Sequence, residues 1–186
     1  MHRHADRVRL ELGELTLRGW HPDDAPALAA AVADSIDHLR PWMPWIAFEP
    51  VPIEQRRALL QRWAADWTDG GDLVCGLFLG PEVVGGGGLH RRIGPGGLDI
   101  GYWIHAAHLH RGYATRMAAG LISLAFTLAD VSFVEVHHDA VNVASEAVPR
   151  RLGFVLVGDE VRERQAPAET GVGRVWRMQR DEWDRR

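Results

Sequence analysis

The sequence has little of several features that mark large classes of proteins. It contains one cysteine, Cys75, so no internal disulfide can form, and a reducing cytoplasm is the expected location. Cys75 lies in the apolar run LVCGLFLG, which is typical of a small buried hydrophobe. No window approaches the roughly 20 apolar residues of a membrane span, and the N-terminal stretch lacks the apolar core of a signal peptide. We therefore expect no membrane partner.

An excess of positive charge is also missing. The 186 residues carry a formal net charge of −4, with a pI near 6.2. Because a phosphate backbone selects a clearly basic surface, this charge argues against a nucleic-acid partner. The 46% hydrophobic and 25% charged contents are ordinary for a globular protein, and no repeat or linker is visible. We predict a single domain over residues 1–186.

The two most familiar nucleotide-binding signatures are absent. No G-x-G-x-x-G pattern occurs at the start of a predicted helix, and the glycine run at 85–88 is not followed by a helix. The GK[ST] sequence of a Walker loop does not occur either. A phosphate site, if present, must be of another kind.

Hydrophobic periodicity predicts a mixed α/β fold with a mostly antiparallel sheet of about seven strands flanked by helices. Strands are predicted over 14–20, 72–80, 82–92, 98–105, 131–138, 154–163 and 173–183. Helices are predicted over 21–39, 53–71, 112–130 and 142–153, with a proline-rich loop over 40–52. The helix that crosses from strand 98–105 to strand 131–138 makes this pair of strands parallel.

The stretch HLHRGYAT, residues 108–115, connects a predicted strand to a predicted helix. The first N–H groups of a helix are unpaired and, with the helix dipole, suit an anion. Gly112 lets the backbone approach a ligand closely, and Ala114 keeps the next turn thin. Arg111 and Thr115 add side-chain donors. A phosphate or pyrophosphate is the natural occupant, and an ordinary strand–loop–helix connection is the alternative.

Three motifs in chain order resemble the GNAT superfamily of acyl-CoA-dependent N-acyltransferases. HLHRGYATRMA is similar to the pyrophosphate loop Q/R-x-x-G-x-G/A of that family, although its first position falls on Leu109. DAVNVASEAVPRRLGF is similar to the family's asparagine helix, with Asn142, Ser145 and a closing LGF. With DIGYWI before them, these motifs are most similar to the RimJ/RimL-like branch, which is named for N-terminal acetylation of ribosomal proteins. The resemblance covers nearly the whole chain.

The resemblance implies acetyl-CoA, or another short acyl-CoA, as co-substrate, bound where the parallel strands splay apart. Pantetheine is expected against the strand YWIH and the pyrophosphate against the loop. The implied CoA-binding residues are Trp103, Ile104, His105, His110, Arg111, Gly112, Tyr113, Ala114, Thr115 and Asn142.

The implied reaction is direct attack of a primary amine on the thioester. Asp99 is the expected general base, acting directly or through water, with a strand-end or turn-capping role as its alternative. Glu135 is the alternative base, and His137 and His138 also lie close to the expected splay. Because the last helix has no tyrosine, Ser145 is the expected hydroxyl near the sulfur.

The proline-rich loop over 40–52 is expected to cover the acceptor site. Trp42 and Trp45 would form an apolar wall, and Glu49 would meet a cationic amine, while a second hydrophobic cluster or a homodimer contact is the alternative. An α-amine has a pKa near 8, whereas a lysine near 10.4 must lose about 3 units, or ~4 kcal/mol. The absence of an obvious strong base therefore favours a protein N-terminus or a small amine.

Three other interpretations stay open. A GNAT-like module can bind acyl-CoA as a sensor without turnover, and other relatives acetylate antibiotics or polyamines. The histidines of HAAHLH, with His137 and His138, offer metal ligands, but no recognised spacing completes the set, and no metal is expected.

Overall fold

One eight-stranded sheet organises residues 8–186, the part of the chain that the computed structural model describes. The predicted domain begins at residue 1, and residues 1–7 lie outside this description. The spatial strand order is β1-β2-β3-β4-β5-β6-β8-β7. The strands are β1 (Arg9–Leu12), β2 (Leu15–Gly19), β3 (Leu73–Leu79), β4 (Glu82–His90), β5 (Gly97–Ile104), β6 (Phe133–Asp139), β7 (Val155–Val161) and β8 (Val172–Gln179).

Six helices accompany the sheet in the described chain, and two apolar layers cover its faces. One face packs on α4 through Met117 and Leu121, and the other packs on α1 and α3 through Leu28 and Leu60. No helix within residues 8–186 is both long and apolar enough to cross a membrane. The helices are α1 (Ala25–Ala33), α2 (Ile36–Leu39), α3 (Ile53–Thr68), α4 (Tyr113–Ala125), α5 (Val143–Arg151) and α6 (Arg180–Asp184).

The predicted parallel crossover is confirmed. Neighbouring strands of the sheet are antiparallel except for β5 and β6, which α4 connects. The hairpin predicted at Gly80–Pro81 also forms, between β3 and β4. The class predicted from the sequence, a mostly antiparallel mixed sheet with flanking helices, is therefore the one observed.

Three differences from the prediction bear on the fold. The sheet has eight strands because the short segment β1 pairs with β2 and places Leu10 and Leu12 against the core. The helix predicted over 21–39 breaks at Ser35, whose buried hydroxyl accepts the N–H of Ala106 at 3.1 Å. The last predicted strand ends at Gln179, where α6 begins with a capping box.

Candidate active site

The parallel strands β5 and β6 separate after only three paired residues. Gly97–Asp99 pair with Phe133–Glu135, and no pairing continues beyond them. From there β6 stays paired with β8, while β5 stays paired with β4. The divergence opens a cavity of about 610 Å³ that is lined by residues of both strands. This is the splay that the resemblance implies.

Backbone groups of β5 face this gap without a strand to pair with. The N–H of His105 donates to the carbonyl of Val84 at 2.9 Å, and in an antiparallel pair every second residue bonds in this way. The intervening Tyr102 and Ile104 therefore turn their N–H and C=O groups toward the gap. An extended ligand with amide groups can pair there as an added strand.

Residues distant in sequence line this cavity together. Trp42 and Trp45 form part of one wall, and the rings of Trp45 and Trp103 lie 6.1 Å apart between centroids. Asn142 and Ser145, at the start of α5, lie on the cavity as well. The structure thus brings the expected acceptor wall, pantetheine strand and asparagine helix to one place.

Glu49 also lines the cavity, but its carboxylate already has a partner. The guanidinium of Arg56 lies 2.6 Å from it, and both side chains are less than a tenth exposed. A buried ion pair of this kind is costly to separate, because it would leave one charge without compensation. The expected contact of Glu49 with a cationic amine would therefore compete with Arg56.

The hydroxyl of Tyr102 reaches α5, which sequence reasoning missed. It donates to the carbonyl of Ser145 at 3.1 Å and lies 3.5 Å from the Ser145 hydroxyl. Burial raises the pKa of Tyr102 to about 12, and the nearby charge of Asp99 acts in the same direction. Two hydroxyls, one from β5 and one from α5, therefore meet on the cavity wall, and the Tyr102 hydroxyl stays protonated at neutral pH.

The two carboxylates nearest the splay are both ion-paired. Asp99 is only 3% exposed, accepts Nε–H of Arg92 at 2.7 Å and is not among the residues that line the cavity. Glu135 accepts Nε–H of Arg177 at 2.7 Å and lies 2.6 Å from His137. A role of Asp99 as general base stays a prediction.

The histidines take separate partners. His138 accepts Nε1–H of Trp176 at 3.0 Å and bonds through Nδ1 to the carbonyl of Asp139, and burial holds its pKa below the usual value. His108 bonds to Glu82 at 2.8 Å, and Nδ1 of His105 accepts the N–H of Ala107. Within residues 8–186, no group of three or more His, Cys, Asp or Glu side chains is placed to hold a metal ion.

The N-terminus of α4 has the open form expected of an anion site. Its N-cap is Gly112 at φ 74, with no side-chain cap and no acidic residue in the first turn. His110 is also left-handed, at φ 61, and such turns aim backbone N–H groups into a concavity. Arg111 is exposed, whereas the Tyr113 ring is buried and stacked on His108, which leaves its backbone as the accessible part. Ala114 and Thr115 are half-buried in the first turn.

Comparisons with known proteins agree with this geometry. The Bacillus subtilis (strain 168) protein YdaF, which carries the name of a ribosomal N-acetyltransferase, is 27% identical over 151 residues, or 77% of this chain and 79% of its own. RimL, a ribosomal L7/L12 alpha-N-protein acetyltransferase solved with coenzyme A, superposes with a TM-score of 0.84 at 20% identity, covering 94% and 99% of the two chains. The microcin C7 self-immunity acetyltransferase MccE, solved with acetyl-CoA and AMP, gives 0.84 at 17% identity, covering 95% and 98%.

Residues 14–155 match the Acetyltransferase (GNAT) domain family. This segment runs from β2 to the start of β7 and includes the splay, the α4 loop and α5. The chain therefore belongs to the GNAT acetyltransferase family.

Proposed function

We propose that this acetyltransferase moves an acetyl group from acetyl-CoA to the α-amino group of a protein N-terminus. The observation that carries the proposal is the gap between β5 and β6. There, free backbone groups of Tyr102 and Ile104 face a cavity that also holds the paired hydroxyls of Tyr102 and Ser145. Such a gap suits an extended pantetheine arm, whose thioester supplies the activated acyl group.

The residues present fit an acyl-CoA at both ends of the site. Trp103, Ile104 and His105 belong to the strand edge that would lie along pantetheine, with Asn142 opposite. The N–H groups of residues 110–115 would take the pyrophosphate, since the first turn of α4 holds no competing cap or acid. Arg111 would add a cation at the surface. RimL and MccE, which share this fold, were solved with CoA and acetyl-CoA.

The chemistry follows from the groups around the gap. A backbone N–H of β5 on the open side would polarise the thioester carbonyl. The protonated hydroxyl of Tyr102, supported by Ser145, would donate toward the departing sulfur, which needs little help because a thiol has a pKa near 8.5. Because Asp99 is paired with Arg92 and does not line the cavity, it could act as a base only through a water molecule.

An α-amine suits this cavity better than a lysine does. Glu49 and Glu135 are both held by arginines, so neither offers a free carboxylate to a protonated amine. An α-amine near pKa 8 is partly neutral at pH 7.5, and lysine is not. YdaF and RimL both carry names of ribosomal N-acetyltransferases, which supports a protein acceptor. A homodimer and a cytoplasmic location stay predictions.

A peptide panel tests this proposal. The purified chain is incubated with acetyl-CoA and 20 peptides that differ in their first residue, each matched by a copy with a blocked N-terminus and an internal lysine. We expect thiol release and a mass increase of one acetyl group only with free N-termini. Succinyl-CoA in parallel reports donor choice.

Other outcomes of the panel contradict the proposal. Acetylation of the blocked, lysine-containing copies would overturn the preference for α-amines. Turnover confined to small ring-bearing amines, for which the tryptophan wall is also suited, would indicate a small-molecule acetyltransferase. Tight CoA binding with no turnover on any amine would indicate a sensor.

A further inference from the structure

A histidine–aspartate pair that no motif singles out faces the same cavity. His90 ends β4, and Asp72 precedes β3. The antiparallel pairing of Leu73 with Leu89 places them side by side, with Nδ1 of His90 2.7 Å from a carboxylate oxygen of Asp72. The other carboxylate oxygen accepts the N–H of Arg91 at 2.8 Å. Asp72 is thereby fixed at both oxygens.

This arrangement sets the tautomer of His90. Partial burial opposes ionisation of Asp72, but the hydrogen bonds from Arg91 and His90 outweigh it and hold the pKa of the carboxyl below its usual value. An ionised carboxylate only accepts, so Nδ1 of His90 carries the proton and Nε2 carries the lone pair. Within residues 8–186, Nε2 makes no hydrogen bond.

The free Nε2 of His90 lies beside two glycines that line the cavity. His90 lines the cavity, and its ring lies over two glycines. A Cβ on Gly88 would be 3.3 Å from Nε2, and one on Gly101 would be 3.5 Å from it. Gly101 directly precedes Tyr102, whose backbone faces the gap. Glycine at both positions leaves room for the imidazole beside the expected thioester strand.

His90 and Tyr102 lie on opposite faces of the sheet. His90 is paired with Asp99 across β4 and β5, so it shares the face of Asp99 and Trp103, where the tryptophan wall stands. Tyr102 lies on the other face, toward α5. An amine bound along the tryptophan wall would therefore lie on the face of His90, and the sulfur would lie toward Tyr102.

Within residues 8–186, the other ionisable side chains that line this cavity have hydrogen-bond or ion-pair partners. The charged neighbours of His90 are Asp72, Arg92 and Asp99, and the last two bind each other. His137 also lines the cavity, but its ring lies between two carboxylates, with Nε2 2.6 Å from Glu135 and Nδ1 3.6 Å from Glu160, whereas Nε2 of His90 faces Gly88 and Gly101. His138 uses both ring nitrogens.

We propose that His90 is the general base of the transfer, with Asp72 as its positioning residue; this rests on the transferase function proposed above. The amine nitrogen bonds to the thioester carbonyl carbon as the C–S bond breaks. The proton lost from nitrogen goes to Nε2 of His90, and the CoA thiolate takes a proton from Tyr102 or solvent. Asp72 keeps the lone pair on Nε2 and stabilises the imidazolium.

Kinetics on the best peptide of the panel test the assignment. His90→Gln is expected to lower kcat about 100-fold and to remove the acid limb of the pH–rate profile, with an unchanged Kd for CoA. Asp72→Asn is expected to lower kcat at least about tenfold, because an amide can donate to Nδ1 and shift the ring proton to Nε2. Asp99→Asn should lose less than His90→Gln and should keep the pH limb. A loss confined to Asp99→Asn, or a His90→Gln enzyme within threefold of wild type, overturns the proposal.

A second measurement needs no acceptor. Ring nitrogen NMR spectra of the neutral imidazole, assigned with His90→Gln, should place the ring proton of His90 on Nδ1 in wild type and on Nε2 in Asp72→Asn. A wild-type proton on Nε2 overturns the proposal. If wild type acetylates no peptide, the transferase proposal fails by itself, and this spectrum still judges His90.

Discussion

Two helix N-termini flank the candidate CoA site, and only one of them is capped by a side chain. At α4 the N-cap is a left-handed glycine, Gly112, with no side-chain cap and no acid in the first turn. At α5 the N-cap is Asn142, whose Oδ1 accepts the N–H of Ser145 at 3.1 Å, and Glu146 lies in the first turn. Both ends carry the same partial positive charge. At α4 the first backbone N–H groups have no side-chain acceptor, whereas at α5 the side chain of Asn142 already accepts one of them.

The capped end of α5 holds Ser145, a proposed catalytic group, in place. Glu146 bonds to Arg150 at 2.6 Å and to Arg174 of β8 at 2.9 Å, which ties the helix to the far side of the gap. Ser145 is thereby held against Tyr102, across the splay from β8. We therefore expect the uncapped end of α4 to bind an anion and the capped end of α5 to position a side chain.

The largest expected effect on CoA affinity comes from substituting Gly112 at the open end of α4. Gly112→Asp and Gly112→Asn have nearly the same shape, and both residue types tolerate a left-handed backbone. A Cβ at this position meets no atom within 4 Å. We expect Gly112→Asp to weaken CoA binding roughly tenfold to 100-fold, through repulsion of the phosphates, and Gly112→Asn to weaken it far less.

Calorimetry with CoA measures this difference. The matched control is Val143→Asp, because Val143 is 73% exposed in the first turn of α5. Its effect on the Kd should be smaller than that of Gly112→Asp. Equal effects at the two helices would contradict the contrast between an open and a satisfied N-terminus.

The next largest effect concerns the hydroxyls of Tyr102 and Ser145 and is measured as kcat. Tyr102→Phe removes the hydroxyl that bonds to Ser145, and we expect kcat to fall about tenfold, since a thiolate leaving group needs only modest help. Ser145→Ala keeps the carbonyl contact and should cost less. Steady-state rates at saturating acetyl-CoA give the comparison, and a larger loss in Ser145→Ala would reverse these two roles.

A smaller effect should appear in stability. Asn142→Ala removes the cap of α5, and we expect it to lower the free energy of unfolding by about 1 kcal/mol. Asn142→Asp keeps an acceptor for the Ser145 N–H and should retain most of that stability. Urea unfolding measures both variants. Equal stability of wild type and Asn142→Ala would mean that the cap contributes nothing.

The smallest effect depends on pH. Burial lowers the pKa of His138, next to α5, so the folded state holds it neutral while the unfolded state takes up a proton below about 6.5. Its contribution to stability is therefore complete above this pH and decreases as the pH falls toward the lowered folded value. Unfolding of His138→Gln at pH 7.5 and 5.5 should show a weaker pH dependence than wild type, whereas an equal or stronger one would contradict the argument.

Much of the fold follows from local patterns. Alternation and turn residues placed β3, β4 and the hairpin at Gly80–Pro81 correctly, and the α4 crossover made the next strand parallel. Ser35 shows the limit of such patterns. Helical spacing continues through it, and the break coincides with a hydrogen bond between Ser35 and Ala106, 71 residues away.

The sequence by itself determined the order of the elements and the open end of α4, because glycine, small residues and missing caps act within one turn of chain. Only the tertiary structure decided which charged groups are already paired, as with Arg56 and Glu49 or Arg92 and Asp99. It also decided that Tyr102 meets α5 and that Asp72 fixes His90. These contacts depend on strand register and on the divergence of β5 from β6, which no local pattern specifies.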